Sequence, residues 1–464
     1  MKKKFLVSTL LSAVMLLTAC SGDAESRENS NRTSQSSNIQ SSENSSNSNS
    51  SSTQEEQKPD VPVADESEFK YEQNYELGGM EIKEYLGSAS SVNIPDTLDG
   101  KPVVSIWYKA FADNTSVKSV IVPDSVIEIS HLAFSNCSNL SDITFGKSVT
   151  EFGSEVFKNC TSLEKITIPK NVTKILKGTF QGCSSLTSIS IPDTVTEIGE
   201  NAFYECTSLT SIDIPNSVTT IGNTAFAGCT NISSISIPDS VSKIGGGAFG
   251  RCTSLNSITI PDSVFQIGDS AFVECTSLKS IIIPDSVTEI NYNAFHNCTG
   301  LTSITIPSSV KKICNDAFMN CTSLTSITFP EGMTEIGRNA FEGCTGLTSV
   351  SFPNSMKKVF NFAFKGCTGL TSVSLSGGMT QIYDSVFSDC QNLSSVTIPD
   401  SVTKIGQWSF KNCTSLTNIT IPESVTKVDI TSFYDCKNLT NAEYKGKSYD
   451  FDHLKDLSQA INGR

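Results

Sequence analysis

Fourteen cysteines recur at 23-residue intervals from Cys137 to Cys436, and two more, Cys20 near the start and Cys314, stand outside that column. A thiol can serve as a nucleophile, a metal ligand or half of a disulfide, and each use demands particular company. A nucleophile needs a base within hydrogen-bond reach, yet the histidines, His131, His296 and His453, are scattered and unaccompanied. Zinc-type sites need cysteines paired a few residues apart plus further ligands, and no C-x-x-C occurs. The sequence therefore predicts no catalytic residue, no metal site and no cofactor. Disulfides are the remaining chemistry. Column neighbours in a stack of strands would stand about 4.8 Å apart, but side chains pointing the same way hold their sulfurs in a row, without the roughly 90° torsion a bridge requires. The pattern predicts a ladder of buried thiols acting as small apolar groups, with Cys314 the thiol most open to reaction.

The same turn offers five glycosylation-like triplets, at Asn136, Asn159, Asn297, Asn320 and Asn412. Gly, Glu and Asp occupy that position in other units, which marks it as a turn position and not an acceptor series.

The elements that position these residues follow from a second column. Phenylalanine stands every 23 residues from Phe111 to Phe433, fifteen times without insertion or deletion. One unit reads AGCTNISSISIPDSVSKIGGGAF, residues 227–249. The alternation in L-x-x-I-x-I predicts a half-buried strand closed by proline, V-x-x-I-G a second short strand, and A-F-x-x-C a helical turn. A single unit cannot bury its apolar residues, but stacked units make a continuous core.

These units resemble the BspA-like class of bacterial leucine-rich repeats, with the pattern I-P-x-S-V-T-x-I-G-x-x-A-F-x-x-C-x-x-L, over residues 91–444. The resemblance implies a repeat solenoid, a curved rod of 23-residue turns with parallel β-strands and short helical turns. It also implies surface exposure and adhesion to host or matrix proteins.

The opening MKKKFLVSTLLSAVMLLTAC has a basic start, an apolar stretch too short to span a membrane, and small residues before Cys20. Leu17-Thr18-Ala19-Cys20 resembles a lipoprotein lipobox, which implies removal of residues 1–19 as signal peptide and lipidation of Cys20. Residues 20–67 then form a Ser/Asn-rich tether with too little apolar surface to fold. Residues 68–110 read as an N-terminal cap with a degenerate repeat and a strand at Met80–Tyr85, 111–444 as the repeats, and 445–464 as a C-terminal cap with a helix started by Asp452.

Without Lys2, Lys3 and Lys4 the balance is 31 basic against 48 acidic residues, or −17, which argues against a nucleic-acid partner. Of the 45 x positions in L-x-x-I-x-I, 33 are Ser or Thr and none is aromatic, a composition that suits strand structure better than a hot spot. One second-strand column alternates Glu289, Lys312, Glu335 and Lys358, which predicts stacked opposite charges. Departures from the repeat are where activity would show. Phe329, Phe352 and Leu375 replace the isoleucine before proline in the units where Met333, Met356 and Met379 replace valine, predicting one repacked stretch of core. Beside it, Lys357, Lys358, Phe360, Phe362, Tyr383 and Trp408 form a candidate partner-binding patch. The alternative is that these aromatics fold over the edge of the repacked core. The reading is a lipid-anchored, exported solenoid on the cell envelope that binds macromolecules, protein ahead of carbohydrate. A non-catalytic envelope scaffold or spacer is the alternative.

Overall fold

The computed structural model describes residues 61–463, so the expected signal peptide, Cys20 and most of the expected tether lie outside the described residues. Within each repeat the chain makes three runs. The first is a three-residue strand such as Ser234–Ser236 or Ser257–Thr259, paired in parallel with its counterpart one unit on (Ile235 opposite Ile258). The following proline lacks an N–H, so the ladder cannot continue past it. The second is a two-residue strand. Thr220–Ile221, Lys243–Ile244 and Gln266–Ile267 pair in one continuous register, Ile221 to Ile244 to Ile267. The chain is thus a parallel β-solenoid with one repeat per coil.

The third run turns as expected, but not as a helix. Ala133, Ser135 and Cys137 donate their N–H groups three residues back, at 3.2, 3.0 and 3.2 Å. Between them, Leu132, Phe134 and Asn136 donate to carbonyls of Ser154, Val156 and Lys158 in the next coil, at 3.0, 2.9 and 2.7 Å. A helix would spend all these amides internally. Here every second one ties coil to coil, and the alternation requires left-handed residues at two places, exemplified by Leu132 (φ 59°) and Asn136 (φ 60°). That requirement explains why asparagine recurs before the cysteine: Asn tolerates the left-handed region, as Gly does. Their amides also form a ladder, with Asn159 Nδ2 donating to Asn136 Oδ1 at 2.8 Å and Asn320 Nδ2 to Asn297 Oδ1 at 3.0 Å.

The apolar core is one contiguous cluster from Phe69 to Ile461. At its centre the phenylalanines from Phe134 to Phe433 stack face to face, with centroids 5.1–5.8 Å apart. The repacked stretch is present. Phe329 stacks on Phe352 at 5.7 Å and 2°, each meets a column ring edge-on, and Met333, Met356 and Met379 are buried beneath.

Both ends are closed by antiparallel pieces that could not extend the array. At the N-terminal end a hairpin, Phe69–Asn74 with Gly79–Tyr85, was legible only in its second strand. Its Tyr85 ring stacks on Phe111 at 5.0 Å. At the other end Lys447–Tyr449 runs antiparallel to Asn441–Tyr444, and the helix Leu454–Asn462 lays Leu457 and Ile461 on the last coil. Asp450, not Asp452, caps the short turn Phe451–His453 that leads into that helix, its carboxylate accepting the His453 N–H at 3.2 Å. The Asn462 side chain imitates a further strand: its Nδ2 donates to the Val428 carbonyl at 2.8 Å and its Oδ1 accepts the Val428 N–H at 3.0 Å.

Candidate binding surface

The six patch residues lie on consecutive coils at the C-terminal third of the rod, where the second strand runs into the turns. Phe360 takes the place that glycine holds in seven of the coils. There a Cβ would crowd the coil before, as at Gly337, where it would stand 2.6 Å from the Asn315 nitrogen. Tyr383 follows in the same column, and the two rings are tilted together with centroids 5.1 Å apart. Both are half-buried, with Tyr383 packed on the core, so this pair partly answers to the structural alternative. Phe362 and Trp408 share another column two coils apart, with Ser385 between. Trp408 is 41% exposed and Phe362 half-buried.

Phe362 and Trp408 occupy one of the left-handed turn positions, at φ 64° and 56°. Most other coils place Asn, Asp, Gly, Ser or Thr there, while Lys109, Leu132 and Glu155 hold it near the N-terminal end. A bulky side chain in that region costs on the order of 1–3 kcal/mol, and such strain clusters where a side chain has a task at the surface. Each aromatic also has a lysine three residues on. Lys365 Nζ lies 5.8 Å from the Phe362 centroid, and Lys411 Nζ lies 5.8 Å from Trp408 and 6.0 Å from Tyr434. Lys358 lies 5.9 Å from Phe360, and Lys357 is exposed beside it. Lys365, Lys411 and Tyr434 were missed in the sequence. The repeated aromatic-x-Phe-Lys spelling at 362–365 and 408–411 was the signal available. Also missed were Trp107 and Tyr108 at the opposite end, 41% and 45% exposed, where Lys83 sits 4.2 Å over the indole.

On the hydroxyl-rich strand face many of the hydroxyls next to the leucine bond from coil to coil, while the next two along the strand, such as Ser257 and Thr259, stay exposed. Thr302, Thr371 and Thr440 donate to carbonyls one coil back at 3.0–3.2 Å. Ser217, Ser240 and Ser309 do the same from the turn after proline. In the charged column Lys312 meets Glu335 at 3.2 Å, and farther back Lys174 meets Glu197 at 3.0 Å.

The thiols are free and buried throughout the column. Each donates to the carbonyl of the phenylalanine 26 residues earlier, for example Cys160 to Phe134 at 3.2 Å and Cys252 to Phe226 at 3.2 Å. Burial pushes Cys183, Cys252, Cys298 and Cys344 up to about 12. Cys314, expected to be the reactive one, is only 2% exposed, and burial raises it to about 11. Its upward push is smaller than theirs, but at neutral pH it is a protonated, covered thiol. Among the described residues no group of three or more His, Cys, Asp or Glu is placed to hold a metal ion.

A sequence profile for the BspA type leucine-rich repeat region matches in six copies, over residues 84–209, 196–324 and 311–440. The chain belongs to the BspA-type leucine-rich repeat family. A leucine-rich repeat protein from Bacteroides ovatus is similar in structure, with 30% identity, 83% of this chain and 88% of that one covered, and a TM-score of 0.58. A leucine rich cell surface protein from Faecalibacterium prausnitzii is 29% identical over 84% of this chain and 96% of its own, with a TM-score of 0.47. No functionally curated protein matches the chain. As a BspA-type array the molecule uses its consensus residues in the core and in coil-to-coil hydrogen bonds. The aromatic and lysine substitutions therefore stand out as additions to the scaffold.

Proposed function

We propose that the chain is an exported, lipid-anchored surface protein whose BspA-type solenoid binds protein partners through the patch at Phe360, Phe362, Tyr383 and Trp408, with Lys357 and Lys358 at its margin. The observation that carries this reading is the pair of aromatics held in the left-handed turn position, each with a lysine beside its ring. Nothing in coil stacking calls for a ring there, because neighbouring coils use small polar residues. Rigid aromatics flanked by cations are the side chains that contribute most at protein interfaces. The lipobox at Leu17–Cys20 and the polar segment after it support an anchored rod held off the membrane. No helix among the described residues is long and apolar enough to cross a membrane.

Two experiments test this. Cys20→Ala should release the protein from the membrane fraction, and continued retention would refute the anchor. Phe360→Ser, Phe362→Ser and Trp408→Ser should weaken capture of extracellular-matrix proteins, with unchanged circular dichroism. Undiminished binding by the folded variants would remove the patch from consideration. The spacer alternative has one observation in its favour, the uniform Ser/Thr strand face without an aromatic, and it gains if the wild-type rod captures nothing at all.

A further inference from the structure

The charged column on the second strands alternates or is diluted along most of its length, but at its C-terminal end Lys404 and Lys427 stand directly opposite each other. Elsewhere in this column Lys174, Lys312 and Lys358 each stand opposite a glutamate, and Lys243 stands between Thr220 and Gln266. Like charges in register oppose strand pairing, and among the described residues neither Lys404 nor Lys427 forms an ion pair. The two lysines flank a cleft of about 870 Å³ between the last coils and the terminal helix, and Lys455 enters it from the helix side. Two aspartates also line the cleft, so three lysines face two carboxylates there, and each carboxylate is held by neutral donors of its own chain. Asp384 Oδ1 accepts the Gln407 N–H at 2.9 Å, and Asp429 Oδ1 accepts the Thr431 N–H at 2.9 Å and its hydroxyl at 2.6 Å.

The long-range field favours the same conclusion. Residues 61–353 carry 17 basic against 31 acidic side chains, while 354–464 carry 11 against 10. An anion approaching this chain is repelled along most of the rod and admitted at this end.

We propose that this cleft binds an anionic polysaccharide, its carboxylate or sulfate groups on Lys404, Lys427 and Lys455 and its hydroxyls on the side-chain amides of Gln407 and Gln459. The lining decides between a glycan and an acidic peptide. An extended peptide would add to the free edge of the second ladder, and Asn462 already occupies that edge at Val428. The cleft has no enclosed apolar pocket for an anchoring side chain, and Ile430 stands at its rim, 55% exposed. Amides that both donate and accept suit sugar hydroxyls. The site is separate from the aromatic patch and stands whether or not that patch binds protein.

The test is calorimetric titration of the full chain with polygalacturonate and heparin as carboxylated and sulfated probes, with dextran and poly-glutamate as neutral and peptidic comparisons. The expected result is binding of one or both anionic glycans, weakened between about 50 and about 300 mM salt as screening shortens, and no binding of dextran. Lys404→Gln and Lys427→Glu should each reduce affinity by at least about tenfold. Lys427→Glu should also raise the unfolding temperature, since it restores the opposite-charge register seen at Lys174–Glu197. Phe362→Ser should bind the glycan as wild type does. Unchanged glycan binding by Lys427→Glu would overturn the proposal, as would poly-glutamate binding without any glycan binding.

Discussion

Raising the pH is the perturbation to which the thiol ladder is most sensitive, and the structure sets both sign and size. Burial holds twelve column thiols above their ordinary range, and a hydrogen bond with Cys436 joins burial in doing so at Cys413, making thirteen. In the unfolded chain the same groups titrate near 8.5. A folded-state pKa above the unfolded one means the native chain holds more protons, so the stabilisation is complete below about pH 8.5 and is lost as pH rises toward about 12. At pH 9.5, one unit above the unfolded value, each unfolded thiol gains about 1.4 kcal/mol by ionising, or about 18 kcal/mol for all thirteen. That exceeds the 5–15 kcal/mol by which domains are ordinarily stable. The loss falls on every coil alike, because stability in such arrays is close to a sum over repeats. Urea unfolding followed by circular dichroism at pH 7.5 and 9.5 should show the midpoint collapsing over that interval, before most lysines discharge. Native thiols should stay silent to iodoacetamide until unfolding begins. A midpoint that holds to pH 9.5, or thiols that alkylate in the folded chain near pH 8.5, would refute the account of a dry, protonated ladder.

Denatured but unreduced described chain should titrate fifteen thiols, and a count far below that would show bridges. Phe226, buried and stacked at 5.2 and 5.5 Å on Phe203 and Phe249, should cost about 3–5 kcal/mol when changed to Ala. Phe433, with one stacking neighbour in the column, should cost less by denaturant titration. Asn462→Ala should leave the Val428 N–H without its acceptor and its carbonyl with only the longer bond from the Ser458 hydroxyl, and loosen the last coil by about 1–3 kcal/mol, read as faster exchange of the Val428 amide. Phe362→Asn should leave unfolding within about 1 kcal/mol of wild type, since relief of left-handed strain offsets lost ring burial. A loss above about 3 kcal/mol would make the ring a core element.

Periodicity made the scaffold legible because one residue type per column satisfies one packing requirement. The phenylalanine, cysteine and isoleucine columns read directly as core, and the Met and Phe exchanges near Phe352 read as one repacked region. What stayed hidden depends on backbone hydrogen bonds that composition does not announce. A-F-x-x-C has the look of a helical turn, and only the destination of the Phe134 and Asn136 amides shows why it cannot be one. The left-handed requirement at Asn136 was visible as a preference for Asn and Gly, yet its meaning for Phe362 and Trp408 was not. The hairpin at Phe69–Asn74 and the cap made by Asn462 obey no repeat, so no column pointed to them. Lys404 and Lys427 lay in plain view, but the significance of two lysines in register needs the cleft and the helix opposite.

The way the ends are closed has a consequence for how such a chain can change length. Asn462 and the strand Lys447–Tyr449 recognise backbone groups of the last coil, groups that every coil presents in the same place. Inserting or deleting one whole 23-residue unit anywhere between Phe111 and Phe433 would leave both lids seated on an equivalent surface. The near-identical segments, such as FKNCTSL at 157–163 and 410–416, are the places where such exchange meets least resistance. The lids are therefore what makes the number of coils a free variable, and with it the distance between the N-terminal hairpin and the lysine-lined cleft.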